Sequence, residues 1–235
     1  MTAGLVTVRS MAMVWEARAR RLSAALCLAF MLGLIVGLQH WTHGFEVWTF
    51  DGRRQLQMQA GELHAPSVAL RSSDGRPLAF WGEAHPAPAA YLVDFIYTRC
   101  PSVCRALGSD YQQIQRELVR RQGAEPALSG VHLLSISFDV ENDQPAQLAR
   151  HATTLGADAR HWTLAVPETP EDARQLLRSL GVVVIPDGEG GFVHNGAIHL
   201  LDERGRLRGL FDLEQWPQAL EEAQRLASER HEVLR

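Results

Sequence analysis

The chain opens with one unbroken apolar run and then settles into short apolar runs alternating with amphipathic stretches. From Leu22 to Leu38 no residue is charged, the pattern of a membrane-spanning helix. The polar stretch that follows carries only weak strand signals, at 45–50 and 55–59. From Val68 to Phe80 polar and apolar positions alternate around Asp74-Gly75, which predicts a β-hairpin. A buried strand is expected over 90–97. A helix is expected over 103–121, with Leu107, Tyr111, Ile114 and Leu118 on one face. His132–Phe138 reads as a second buried strand, and 144–156 as a helix with Pro145 in its first turn. Trp162–Val166 reads as a third strand. Thr169-Pro170-Glu171-Asp172 has the chemistry of a helix start, and Gly181 of its stop. Strands over 193–202 and 206–211 flank the turn Asp202–Gly205, and a last helix covers 215–230.

This order, β-α-β-α-β-α-β-β-α behind a hairpin, predicts an α/β sandwich around a mixed sheet, of which thioredoxin-like folds are one kind. The expected division is a cytoplasmic tail over 1–21, an anchor over 22–39, a tether over 40–64 and a folded domain over 65–235. Arg18, Arg20 and Arg21 precede the apolar run, so the positive-inside rule leaves the N-terminus in the cytoplasm and the domain outside. No small-x-small cleavage site follows the run, and Trp41 suits an interface, so the segment is read as a retained anchor rather than a cleaved signal.

Composition narrows the partners. A net charge of −4, with every basic side chain an arginine, supplies no basic field for nucleic acid. Of three cysteines, Cys27 lies in the apolar run and reads as a small apolar residue. Cys100 and Cys104 remain as one site rather than a disulfide framework.

That pair sits between a predicted strand and a predicted helix, where a thioredoxin carries its CxxC. Here three residues intervene. Two soft sulfurs at the entry of a helix suit either dithiol–disulfide exchange or a shared metal, and the helix dipole favours the Cys104 thiolate. A metal needs a third ligand. His40, His43, His64, His85, His151 and His161 fall in flanks, tethers or element ends, and His132 and His199 at strand positions suited to partly buried structural histidines. His194 differs because it follows the glycine-rich loop Pro186–Gly191; on spacing alone it is either a ligand or an ordinary loop histidine.

Three motifs in order break the tie. Phe95-Ile-Tyr-Thr-Arg-Cys-Pro-Ser-Val-Cys104 resembles the cysteine loop of the Sco/SenC family of copper-binding thioredoxin-fold proteins. Ser135-Ile-Ser-Phe-Asp139 with Asp143-Gln-Pro145 is similar to that family's acidic motif, and Val193-His194-Asn-Gly-Ala-Ile-His-Leu-Leu-Asp202 to its histidine motif. The resemblance covers about 65–212. It departs from the usual pattern at Ser102, Arg105 and Val140.

The resemblance implies a thioredoxin-like fold with an N-terminal hairpin and an inserted hairpin carrying the histidine, behind one transmembrane helix. It implies one copper, Cu(I) or Cu(II), held by Cys100, Cys104 and His194, with the two cysteines also forming a redox disulfide. Asp139 would stand behind them, orienting His194 or completing a Cu(II) shell, or else simply cap a turn. No catalytic residue is expected. The implied role is a metallochaperone in the bacterial inner membrane, its domain in the periplasm. It would assist copper insertion into the Cu A site of a cytochrome c oxidase subunit, with other copper chaperones as further partners. The alternative is a thiol–disulfide reductase that keeps the oxidase's copper-ligand cysteines reduced.

Overall fold

The structure is a computed structural model that describes residues 3–42, 50–78, 80–81, 89–100, 103–121 and 130–233. Contacts divide the chain into two units, Met1–Arg53 and Arg54–Arg235. In the first, a single helix, α1 (Ala3–Trp41), runs through both the expected tail and the expected anchor. Its segment Arg20–Trp41 is 22 residues long, apolar and wholly unburied. At 1.5 Å per residue that is about 33 Å, enough to cross a hydrocarbon core.

The tether needs correction. Phe50–Gln59 is a helix, α2, where a strand signal was read at 55–59; the signal at 45–50 falls almost wholly outside the described residues. The reason is visible at Arg54, which is 4% exposed. Its Nε donates to Leu180 O at 2.9 Å, and its Nη2 meets Nε2 of the buried His199. His199 Nδ1 donates to Val93 O at 3.2 Å, which leaves Nε2 as the acceptor. Burial, reinforced by the Arg54 charge, holds His199 well below the usual histidine pKa and therefore neutral. A tertiary anchor of this kind overrides local strand preference.

In the second unit the hairpin forms as predicted, β1 (Leu70–Ser72) against β2 (Pro77–Leu78), with Gly75 at φ 81° in the turn. The remaining strands are β3 (Ala90–Ile96), β4 (Val131–Ser137), β5 (Trp162–Pro167), β6 (Val184–Pro186), β7 (Phe192–His194), β8 (Ile198–Asp202) and β9 (Leu207–Phe211). The helices are α3 (Val103–Arg121), α4 (Pro145–Leu155), α5 (Pro170–Ser179) and α6 (Trp216–Val233). Pro145 and Pro170 open α4 and α5, and Thr169 caps α5 by accepting from Asp172 N at 3.1 Å.

Seven strands form one mixed sheet in the order β2-β1-β5-β4-β3-β8-β9. Its centre, β3-β4-β5, is parallel, whereas β8 and β1 join antiparallel on either side. Side chains of β3 alternate between two cores. Leu92 and Ile96 join Tyr111, Ile114 and Leu118 of α3 and Leu220 of α6, while Tyr91, Val93 and Phe95 join Leu70, Trp81, Leu176 and Leu180. This is the thioredoxin-like arrangement that the order of elements predicts.

A second correction concerns 193–202. It is not one strand. β7 pairs with β6 in a separate two-stranded sheet, Val184 opposite His194, and Asn195–Ala197 separates β7 from β8. Asn195 causes the break: its Oδ1 accepts from Val183 N at 2.7 Å, and its own N–H donates to Val183 O at 3.3 Å. The chain is thereby tied across the hairpin instead of continuing into the main sheet.

Candidate metal centre

The parallel strands β3 and β4 end side by side, and both of the loops that follow them carry candidate residues. After β3 the chain turns at once, with Cys100 N–H donating to Tyr97 O at 3.1 Å. Cys100 is half-buried and packs against the core that α3 covers. Cys104 lies in the first turn of α3; its side chain and residues 101–102 lie outside the described set.

The loop is held by a buried carboxylate. Asp143 is fully buried and accepts from Thr98 N at 2.7 Å, Thr98 Oγ1 at 2.5 Å and Ser137 Oγ at 2.6 Å. Three donors on one carboxylate fix the chain two residues before Cys100 to the end of β4. Asp139 provides a second clasp. Its Oδ2 accepts from Arg99 at 3.0 Å and its Oδ1 from Asn142 Nδ2 at 2.8 Å, while its carbonyl accepts from Asn142 and Asp143. Asp139 thus grips the residue next to Cys100 and caps the turn after β4.

His194 closes β7, and its surroundings are aromatic. The Phe138 ring lies 5.3 Å away and the Tyr97 ring 6.4 Å, both edge-on. Burial pushes its pKa below the usual histidine value. A neutral imidazole keeps a lone pair, which is the form that binds a metal.

Tyr97 brings the two halves together. From the strand end that turns into Cys100 its hydroxyl donates to Phe192 O and accepts from Phe192 N, each at 3.2 Å. Its ring meets that of Phe192 edge-on at 5.2 Å. Gly191 makes this approach possible, because a Cβ there would stand 3.2 Å from the Tyr97 hydroxyl and 2.5 Å from Asp187 Oδ2. One tyrosine thus joins the strand end that leads to Cys100 to the hairpin that ends in His194, and Cys104 lies in the first turn of α3. Two thiolates and a neutral imidazole match a soft trigonal ion, and thiolate-rich sets select Cu(I). Among the described side chains, which do not include that of Cys104, no three Cys, His, Asp or Glu form a ready cluster.

The other histidines are elsewhere. His40 and His64 are exposed, His151 and His161 half-buried, and His132 bonds Thr163 Oγ1 at 2.9 Å. His43 and His85 lie outside the described residues. Tyr97 and Asp143 were missed as structural keys of the site, although Asp143 stood in a recognised motif. A tyrosine at a strand end carries no sequence mark that it will bridge to a loop 95 residues away.

The comparisons agree with this architecture. The SCO1/SenC family model matches residues 67–228, most of the chain. The chain belongs to the SCO1/SenC family. A SCO1 protein homolog of Bacillus subtilis is 25% identical over 119 residues, which cover 50% of this chain and 58% of that protein. The chain thus aligns with little more than half the length of that curated relative. The copper-bound structure of Bradyrhizobium japonicum ScoI matches with a TM-score of 0.54 and 22% identity, over 69% of this chain and 99% of that one. BsSco, described as a member of the Sco family of cytochrome c oxidase assembly proteins with a disulfide switch, matches at 0.55 and 17% identity, over 71% and 95%. At these identities the solved structures speak for the fold.

Proposed function

We propose that this Sco-family chain is a membrane-anchored copper-binding protein that assists copper insertion into the Cu A site of a cytochrome c oxidase subunit. Cys100, Cys104 and His194 hold the copper, one ion per chain, as cargo to be passed on. The observation that carries the reading is the Tyr97 bridge, which ties the cysteine loop to the hairpin that ends in His194. The soft donor set supports copper over zinc, which takes four protein ligands in structural sites. Copper bound to a relative of the same fold supports it further. The apolar Arg20–Trp41 helix serves as the anchor, with the arginines before it on the cytoplasmic side and the domain in the periplasm of a bacterial inner membrane. Other copper chaperones are the natural donors.

Anaerobic copper titration of the full chain in detergent tests the ligand set. The parent takes up one copper with Cu(II)–thiolate absorption, and His194→Ala loses tight binding. A His194→Ala variant that binds copper like the parent overturns the assignment. The second reading, a thiol–disulfide reductase acting on the oxidase's copper-ligand cysteines, rests on the Cys100 and Cys104 pair between a buried strand and a helix. It needs the cysteines and not His194.

A further inference from the structure

The hairpin β6-β7 stands apart from the main sheet, so each of its strands has an outer edge, and the two edges differ. Hydrogen-bonded pairs alternate along an antiparallel ladder. Asn195 N–H donates to Val183 O and Asp187 N–H to Gly191 O, so 183/195, 185/193 and 187/191 are the bonded pairs. Residues 184, 186, 192 and 194 therefore turn their backbone groups outward. On β7 three of these groups are taken. Phe192 N–H and C=O meet the Tyr97 hydroxyl, and His194 O accepts from Gly196 N–H at 3.1 Å. On β6 the outward groups are Val184 N–H, Val184 C=O and Pro186 C=O, and among the described residues nothing bonds to them.

Open strand edges are commonly blunted by charge or proline. Pro186 blunts this one at its end, which leaves room for a short added strand only. The outer face of the hairpin carries no such guard. It presents Val183, Ile185 and Val193, with Ile185 57% and Val193 64% exposed.

The other face looks onto a groove of about 540 Å³. Val184 and Phe192 line it from the hairpin, Phe138 from the loop after β4, and Ala173 and Leu177 from α5. The Phe138 ring also packs on His194, so the groove adjoins the candidate metal centre through one aromatic ring. Its two lips differ in charge. On the α5 side Arg174 and Arg178 share a single carboxylate, Glu171, at 2.8 and 3.0 Å. On the other side Asp139 is occupied by Arg99 and Asn142, and Glu141 is exposed.

We propose that the β6 edge and this groove form the docking site for an extended apolar–acidic segment of the protein that exchanges copper with this chain, a partner whose identity rests on the reading of this chain as a copper carrier. A strand added along β6 gives the Val184 N–H and C=O their hydrogen bonds. Side chains alternate across a sheet, so the residue opposite Val184 enters the groove and its two neighbours lie on the Ile185 face. All three positions therefore call for apolar side chains. An acid two positions from the central residue returns to the groove side, where Arg174 and Arg178 have N–H groups to spare. Glu141 on the opposite lip repels the reversed orientation.

The position suits transfer. Val184 is paired directly with His194. Strands lie about 4.8 Å apart, so a segment docked on β6 runs about 10 Å from β7. Groups a few residues along the partner's own chain then reach the imidazole.

The probe is a capped peptide, Ser-Val-Ile-Val-Asp-Ser, titrated into the full chain in detergent, reduced and metal-free, with backbone amides followed by NMR. The Val184 amide is expected to shift saturably and to exchange more slowly with solvent. Val184→Pro removes one outward donor and no ladder bond, and weakens binding about 3- to 10-fold. A peptide with Lys in place of Asp binds the parent about 2- to 5-fold more weakly and recovers with Arg178→Glu, which serves if Val184→Pro fails to unfold cooperatively. Shifts confined to other elements, or equal affinity across these pairings, overturn the docking site. Self-association of the parent that Val184→Pro abolishes without peptide assigns the edge to a second copy and overturns the partner. Copper titration of the same parent separates the two readings. Copper uptake without peptide binding overturns the docking site alone, whereas peptide binding at β6 without copper uptake overturns the copper-exchanging partner.

Discussion

The Tyr97 hydroxyl and the backbone of Phe192 exchange two hydrogen bonds of 3.2 Å, so one side chain joins the strand end that delivers Cys100 to the hairpin that delivers His194. A site assembled from loops 95 residues apart depends on this joint. Other clasps act nearer each loop's own root, Asp143 and Asp139 on the cysteine loop and Asn195 on the hairpin, while Phe138 packs against the Phe192 and His194 rings.

Tyr97→Phe removes the joint and keeps the ring. The change leaves a Phe192 N–H and C=O without their partner, at a cost of about 1–2 kcal/mol. Copper affinity is expected to fall about 3- to 10-fold, because the histidine must then be ordered when the metal binds. Urea denaturation and competitive copper titration check the two halves. Unchanged affinity separates the joint from the site.

Asp143→Asn keeps the shape of the buried side chain and replaces an acceptor with a donor among three donors. The expected loss is about 2–3 kcal/mol, read as a lower urea midpoint with an unchanged slope. An equal loss in Asp139→Asn is not expected, since one of its partners, Arg99, is half exposed and its ion pair is screened.

Asp94 makes stability depend on pH in the reverse of the usual carboxylate sense. Its folded pKa, about 7, lies above the ordinary 3.8. Below about pH 4 the carboxyl is protonated in both states and costs nothing. As pH rises from about 4 to 7 the unfolded chain ionises first, so folding stability falls, and above 7 the full penalty stands. Asp94→Leu is expected to be more stable than the parent by up to about 4 kcal/mol near pH 8, with the gain vanishing towards pH 4. Chemical denaturation at several pH values checks this. A gain that does not vary with pH would assign the effect to packing instead.

Much of this was legible beforehand. The helix over 103–121 and the hairpin at Asp74-Gly75 formed where their patterns put them, because each is governed by local periodicity and turn chemistry. The misreadings occurred where a distant partner decides. The 55–59 stretch is helical because Arg54 reaches Leu180 and His199, 126 and 145 residues away. The run 193–202 breaks because Asn195 bonds back to Val183. Asp139 stood among the candidate residues, but only the fold shows it gripping Arg99.

By itself, the sequence determined the order of the main strands and helices, the apolar N-terminal segment, and Cys100 and Cys104 as one candidate site. These follow from spacing and residue type, which are properties of a linear chain, whereas His194 was singled out by the resemblance of its motif. What only the tertiary structure decided is what stands next to what: Tyr97 against Phe192, Asp143 beneath Thr98, and a carboxyl at Asp94 buried in the sheet beside Ser135. Burial and long-range pairing set hydrogen-bond partners and proton affinities. Neither exists until the sheet has brought its strands together.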